Sequence, residues 1–152
     1  MSENHESGLE AGYDYQGRKV VAVLASDLGA GTAMNVMGHL SVSLGAYADG
    51  ALMGRHPLLD GSGVEHTGIA RYPIIVTKVK RSRLRRLIDD ARGTPGLLLC
   101  DYPEEMLATG HDDELADALA GRSEESLSYL GAVLYGESSE VDRLTGKFTL
   151  WR

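Results

Sequence analysis

The chain has 152 residues, 43% hydrophobic and 24% charged, the proportions of a globular protein with a single core. Its 22 acidic and 15 basic residues leave a net charge of -7, which opposes nonspecific nucleic-acid binding because that depends on neutralising phosphates. No apolar run approaches the roughly 20 residues that span a bilayer, and a lone cysteine, Cys100, excludes an intrachain disulfide and a cysteine-rich metal cluster.

Residues 1–17 read as a polar, acidic tail without the charged start and apolar stretch of a signal peptide. A single α/β domain is expected over 18–152, in the cytoplasm and not at a membrane. Lys19 to Ala25, KVVAVLA, is a β-branched apolar run suited to a strand buried on both faces. The turn SDLGAG leads into a helix from about Thr32 to Ala48, and residues 50–70 form a long connection with room for a short strand. Tyr72 to Lys80 begins as a buried strand and ends basic. Ser82 is then placed to cap a helix whose Leu84, Leu87, Ile88 and Ala91 recur at helical spacing. Gly93, Pro95 and Gly96 end it, and Leu97 to Tyr102 is the next strand.

An acidic helix follows over His111 to Ala120, with Leu115, Ala118 and Leu119 inward, and Ser128 to Tyr135 is a further strand. Ser138 or Ser139 would cap a short helix through Leu144, and Thr145-Gly146 turns the chain into a last strand, Lys147 to Trp151. Strands alternating with helices imply a layered α/β fold with helices on both faces of the sheet.

Ligands of open α/β sheets gather at the carboxyl ends of strands, beside the helices that follow. Gly29 and Gly31 stand at such a junction and serve equally well as an anion cradle or as a tight structural turn. The third glycine of a dinucleotide fingerprint is replaced by Met34, and no lysine lies between Lys19 and Lys78 to complete a phosphate loop. The helix adds a stronger pattern. Thr32, Asn35, His39 and Ser43 share one sector, Ala33, Val36, Met37, Leu40, Leu44 and Tyr47 another, and Gly38 and Gly45 a third where a neighbouring backbone could pack. A helix apolar or small nearly all round is expected to be largely buried, so its polar stripe either finds internal partners or lines a cavity. In the second case a neutral His39 could act as acid, base or hydrogen-bond partner.

The segment SDLGAGTAMNVMGHLS resembles the opening of the peptidyl-tRNA hydrolase type II fold, in which an aspartate-leucine turn, a glycine loop and a helix histidine follow the first strand. Asp27-Leu28 match the turn, and His39 lies eight residues after Gly31 as in that family. The ending DRLTGKFTLW, Asp142 to Trp151, is similar to the same fold's last helix, turn and strand, and Asp101 falls where it keeps an aspartate after a central strand. The form MNVMGHL resembles a bacterial offshoot, the domain of unknown function 2000 family. The resemblance implies a three-layer α/β/α, peptidyl-tRNA hydrolase II-like fold with a mixed, roughly four-stranded sheet. Thr32 stands where the hydrolase lysine would be and Val36 where its glutamine would be, which removes the point charge that could meet an oxyanion.

Three functions stay open. One is an enzyme or binder of an aminoacyl or peptidyl group, tRNA-borne or free, with His39, Asp101 and Asn35 around the carbonyl. Another is a noncatalytic module for a small anion or metabolite at Gly29, Gly31, Thr32 and Ser43. The last is a homodimeric interaction protein that kept the fold and lost the site. Lys78 to Arg86 carry six positive charges and no acid, so Lys80, Arg83 and Arg86 could touch RNA phosphates or form a solvated helix face. His56, His66 and His111 lack metal-ligand spacing, and neither metal nor cofactor is expected. Cys100, after three leucines, reads as a buried small hydrophobe.

Overall fold

The computed structural model describes residues 16–152. The expected N-terminal tail lies outside the described residues except for Gln16 and Gly17.

The sheet is built around β1 (Arg18–Ala25), which pairs in parallel with β4 (Ile74–Val79) and antiparallel with β6 (Tyr129–Glu137). On the far side of β6 lies β5 (Leu98–Pro103), and beyond β4 the short β7 (Thr149–Leu150) closes the order β5-β6-β1-β4-β7. The resemblance implied roughly four strands. The sheet has five, because the C-terminal segment adds a two-residue edge strand to β4.

Side chains alternate across a strand, so β1 serves two cores. Val20, Ala22 and Leu24 pack with α1 (Ala30–Tyr47), through its buried Ala33, Val36, Leu40 and Leu44. Val21, Val23 and Ala25 pack with α2 (Arg81–Arg92) and with Val141 of α4 (Ser138–Thr145). Burial on both sides explains why β1 and β6 tolerate almost no polar residue. The expected core of α2, Leu84, Leu87, Ile88 and Ala91, is fully buried. In α3 (Asp112–Ala120), Leu115, Ala118 and Leu119 are half-buried.

Three local expectations are corrected. Ser82 does not cap α2: Lys80 is the N-cap residue, and Ser82 sits inside the first turn. Neither Ser138 nor Ser139 caps α4, which starts at Ser138 itself, and the Ser138 hydroxyl donates to the Gln16 carbonyl instead. Nor is α1 largely buried, since only one of its faces meets the sheet. Met34, Val42 and Tyr47 are 70%, 75% and 74% exposed, and a Cβ added at Gly38 or Gly45 would meet nothing within 4 Å.

The 50–70 connection holds a hairpin of two short strands, β2 (Leu58–Leu59) and β3 (Glu65–His66). The Asp60 carboxylate ties its turn by accepting the Ser62 and Val64 amides. Gly68 is required there, because at φ +93° a Cβ would lie 2.6 Å from the Arg55 carbonyl oxygen. Among the described residues no helix is long and apolar enough to cross a membrane.

Candidate functional site

The polar stripe of α1 lies against β5. Because β5 alternates, Cys100 and Tyr102 face α1, while Asp101 between them turns toward α2. Tyr102 is buried to 2% exposure, and its hydroxyl donates to Asn35 Oδ1 at 3.3 Å. One turn along the helix, the His39 ring stands edge-on to the Tyr102 ring, 5.7 Å between centroids at 66°. A further turn along, Ser43 hydrogen-bonds with Cys100. The stripe thus finds partners and also borders open space.

Asn35, His39 and Ser43 form one wall of a groove of about 850 Å³. Asp101, Tyr102 and Met106 form the opposite side, and Met34, Val42 and Tyr47 supply apolar surface. This volume is within the range of small-molecule sites. Burial pushes the Tyr102 hydroxyl up, so it stays protonated as a donor. Burial also pushes the Cys100 thiol up, against a smaller opposite effect from the Ser43 hydrogen bond, which disfavours the nucleophilic thiolate.

The fold therefore brings Asn35, His39 and Ser43 together around Tyr102. Asp101 borders the groove, but its carboxylate accepts from Arg92 Nη2 at 3.1 Å. Arg92 also donates to Glu124 at 2.9 Å and to the Tyr129 hydroxyl at 3.0 Å, so Asp101 belongs to a charged network on the α2 side. Gly29 is the N-cap residue of α1, with φ -68° and no side-chain cap. Gly29 and Gly31 are exposed and Thr32 half-buried at that helix start. At the same edge, Arg81 joins Asp27 of the first turn to Glu104 and Ser128, at 3.1, 3.2 and 3.0 Å. Lys80, Arg83 and Arg86 are exposed on or beside α2.

Reasoning along the chain missed Tyr102, the residue that organises the stripe. Its signal was present: it lies two positions after Cys100 in a strand, and so on the same face. His66 pairs with Asp60 at 3.2 Å and His111 is the N-cap residue of α3. Among the described residues no group of three or more His, Cys, Asp or Glu could hold a metal ion.

The model of a family described as Protein of unknown function (DUF2000) matches residues 18–152. A solved structure of a protein of unknown function from Agrobacterium tumefaciens strain C58 is similar, with 26% identity and a TM-score of 0.80 over 90% of this chain and 98% of that one. No curated protein matches the chain.

Proposed function

The chain belongs to the DUF2000 family, and within that family we propose that it binds an aminoacyl- or peptidyl-type group, free or tRNA-borne, in the groove between α1 and β5. The fold is read as the three-layer, peptidyl-tRNA hydrolase II-like arrangement, a reading supported by the helices packed on each face of the mixed sheet. The observation that carries the functional reading is the Asn35–Tyr102 hydrogen bond beside His39. With Oδ1 occupied by the tyrosine, the Asn35 amide offers its N–H donors to a carbonyl. His39 offers one ring nitrogen as donor or acceptor, and Met34, Val42 and Met106 provide apolar contact for the remainder of the ligand. Thr32 supplies no charge for a developing oxyanion, and Arg92 already holds Asp101, so binding is favoured over hydrolysis. A small carboxylate at Gly29, Gly31 and Thr32 is the same chemistry taken at the helix start.

Titration with N-acetylalanine methyl ester, followed by amide NMR, tests this reading. Saturable shifts are expected at Asn35, His39, Ser43 and Tyr102. Asn35→Ala and His39→Ala should each weaken binding about tenfold, the loss of one hydrogen bond with its desolvation. Shifts that do not saturate, or that survive both substitutions, would refute it.

A homodimeric interaction protein is the second reading. It is favoured by the outward face of α1, which exposes Met34, Val42 and Tyr47 in a helix with no Asp, Glu, Lys or Arg. Sedimentation should then show a dimer that Val42→Asp dissociates; a monomer at all concentrations excludes this reading.

A further inference from the structure

A second depression, of about 390 Å³, opens where β1 and β4 end, lined by Ser26, Lys78, Val79, Lys80, Arg83 and Thr149. The ladder builds it. The Ser26 amide donates to the Val79 carbonyl at 2.8 Å, and Lys78 is in register with Thr149 of β7. Three cations and two hydroxyls thereby converge, and no carboxylate lines the space.

The charges are unspent. Arg81, Arg85 and Arg92 of the same basic stretch each pair with a carboxylate, whereas among the described residues Lys78, Lys80 and Arg83 form no ion pair. Asp27, next to Ser26, is already held by Arg81 at 3.1 Å. Two of the cations rest on aromatic rings from the C-terminal segment. Lys78 Nζ lies 5.7 Å from the Trp151 centroid and donates to the Arg152 carbonyl at 3.5 Å, and the Arg83 guanidinium lies 5.1 Å from the Phe148 centroid. Rings that hold long side chains in place reduce the ordering that a ligand would otherwise have to impose. Lys80 precedes α2, whose start has no side-chain cap and no acid in its first turn.

We propose that this depression is a binding site for a phosphoryl group, separate from the α1–β5 groove and independent of what that groove binds. A tetrahedral oxyanion with several acceptor oxygens uses donors from the lysine ammoniums, the guanidinium fork and two hydroxyls, more than a planar carboxylate would engage. Arg86, one helical turn from Arg83 and outside the depression, separates the two sources of such a group. A single phosphomonoester has no use for it, whereas a nucleic-acid strand with successive phosphates would reach it.

Inorganic phosphate, glycerol 3-phosphate and a single-stranded oligouridylate are titrated into the full chain at matched ionic strength, with amide NMR as the readout. Saturable shifts at Ser26, Lys80, Arg83 and Thr149 are expected. Lys80→Gln and Arg83→Gln should each weaken binding about tenfold, the loss of a charge-assisted hydrogen bond. Arg55→Gln, the same charge change in the 50–70 connection, should leave it unchanged. A preference for the phosphomonoester that ignores Arg86→Gln assigns a small molecule, and tighter oligouridylate binding that needs Arg86 assigns a strand. Binding that fails to saturate, or that Arg55→Gln weakens as much as the pocket variants do, overturns the proposal.

Discussion

Gly131 of β6 is the point where α1 approaches the sheet most closely. A Cβ there would meet Leu24 Cδ2 and Val36 Cγ1 at 2.8 Å and Leu40 Cδ1 at 3.2 Å. These are methyl groups, but their side chains are 0–2% exposed and have no free volume to retreat into. Gly131→Ala therefore sets two effects against each other. Removing glycine from a strand recovers about 0.5–1 kcal/mol of backbone entropy. Overpacking a filled core costs about 1–3 kcal/mol. Overpacking wins, and the net loss of about 1–2 kcal/mol lowers Tm by roughly 3–6 °C for a chain of this length. Urea unfolding should show a lower midpoint at unchanged slope. The same displacement pushes Asn35 and His39 away from Tyr102, so binding in the groove should weaken as well. A Val36→Ala background removes the nearest methyl, and there Gly131→Ala should be milder, with a coupling of about 1 kcal/mol. An unchanged or raised Tm, or additive effects in the double variant, would refute the packing argument.

The exposed glycines of α1 behave oppositely. Gly45→Ala meets nothing within 4 Å and should stabilise the helix by roughly 1 kcal/mol, raising Tm about 2–4 °C; a lower Tm in dilute protein would contradict it. At acid pH the Arg92 network governs. The Glu124 carboxyl lies below its ordinary 4.5, held first by the Arg92 hydrogen bond and then by that of Tyr129. A depressed folded value means that this stabilisation is fully present above about pH 4.5 and is lost as the pH falls through the folded value. Arg92→Gln should raise the Glu124 titration, followed by side-chain carboxyl NMR, and flatten the Tm profile below that pH. An unmoved titration would show that Arg92 does not hold the carboxylate.

The sequence alone determined which segments become strands and helices and which faces become core. Runs such as KVVAVLA and the spacing of Leu84, Leu87, Ile88 and Ala91 report burial through periodicity, a local property of the chain. The stripe Thr32, Asn35, His39 and Ser43 was legible for the same reason, since it depends only on the pitch of one helix. Tertiary structure decided what the stripe faces and which partners its neighbours take. Asp101 reads as a companion of His39 when the two are considered only as residue types. In the folded chain, strand alternation sends its carboxylate to Arg92 and leaves Tyr102 as the residue beside the imidazole. The exposure of Met34, Val42 and Tyr47 was likewise undecided, because an apolar helix reads the same whether one face or all of its faces are covered. The basic stretch divided in the same way. Which cations pair with carboxylates and which remain free around Ser26 and Thr149 depends on β7 docking beside β4, a contact between residues far apart in the chain.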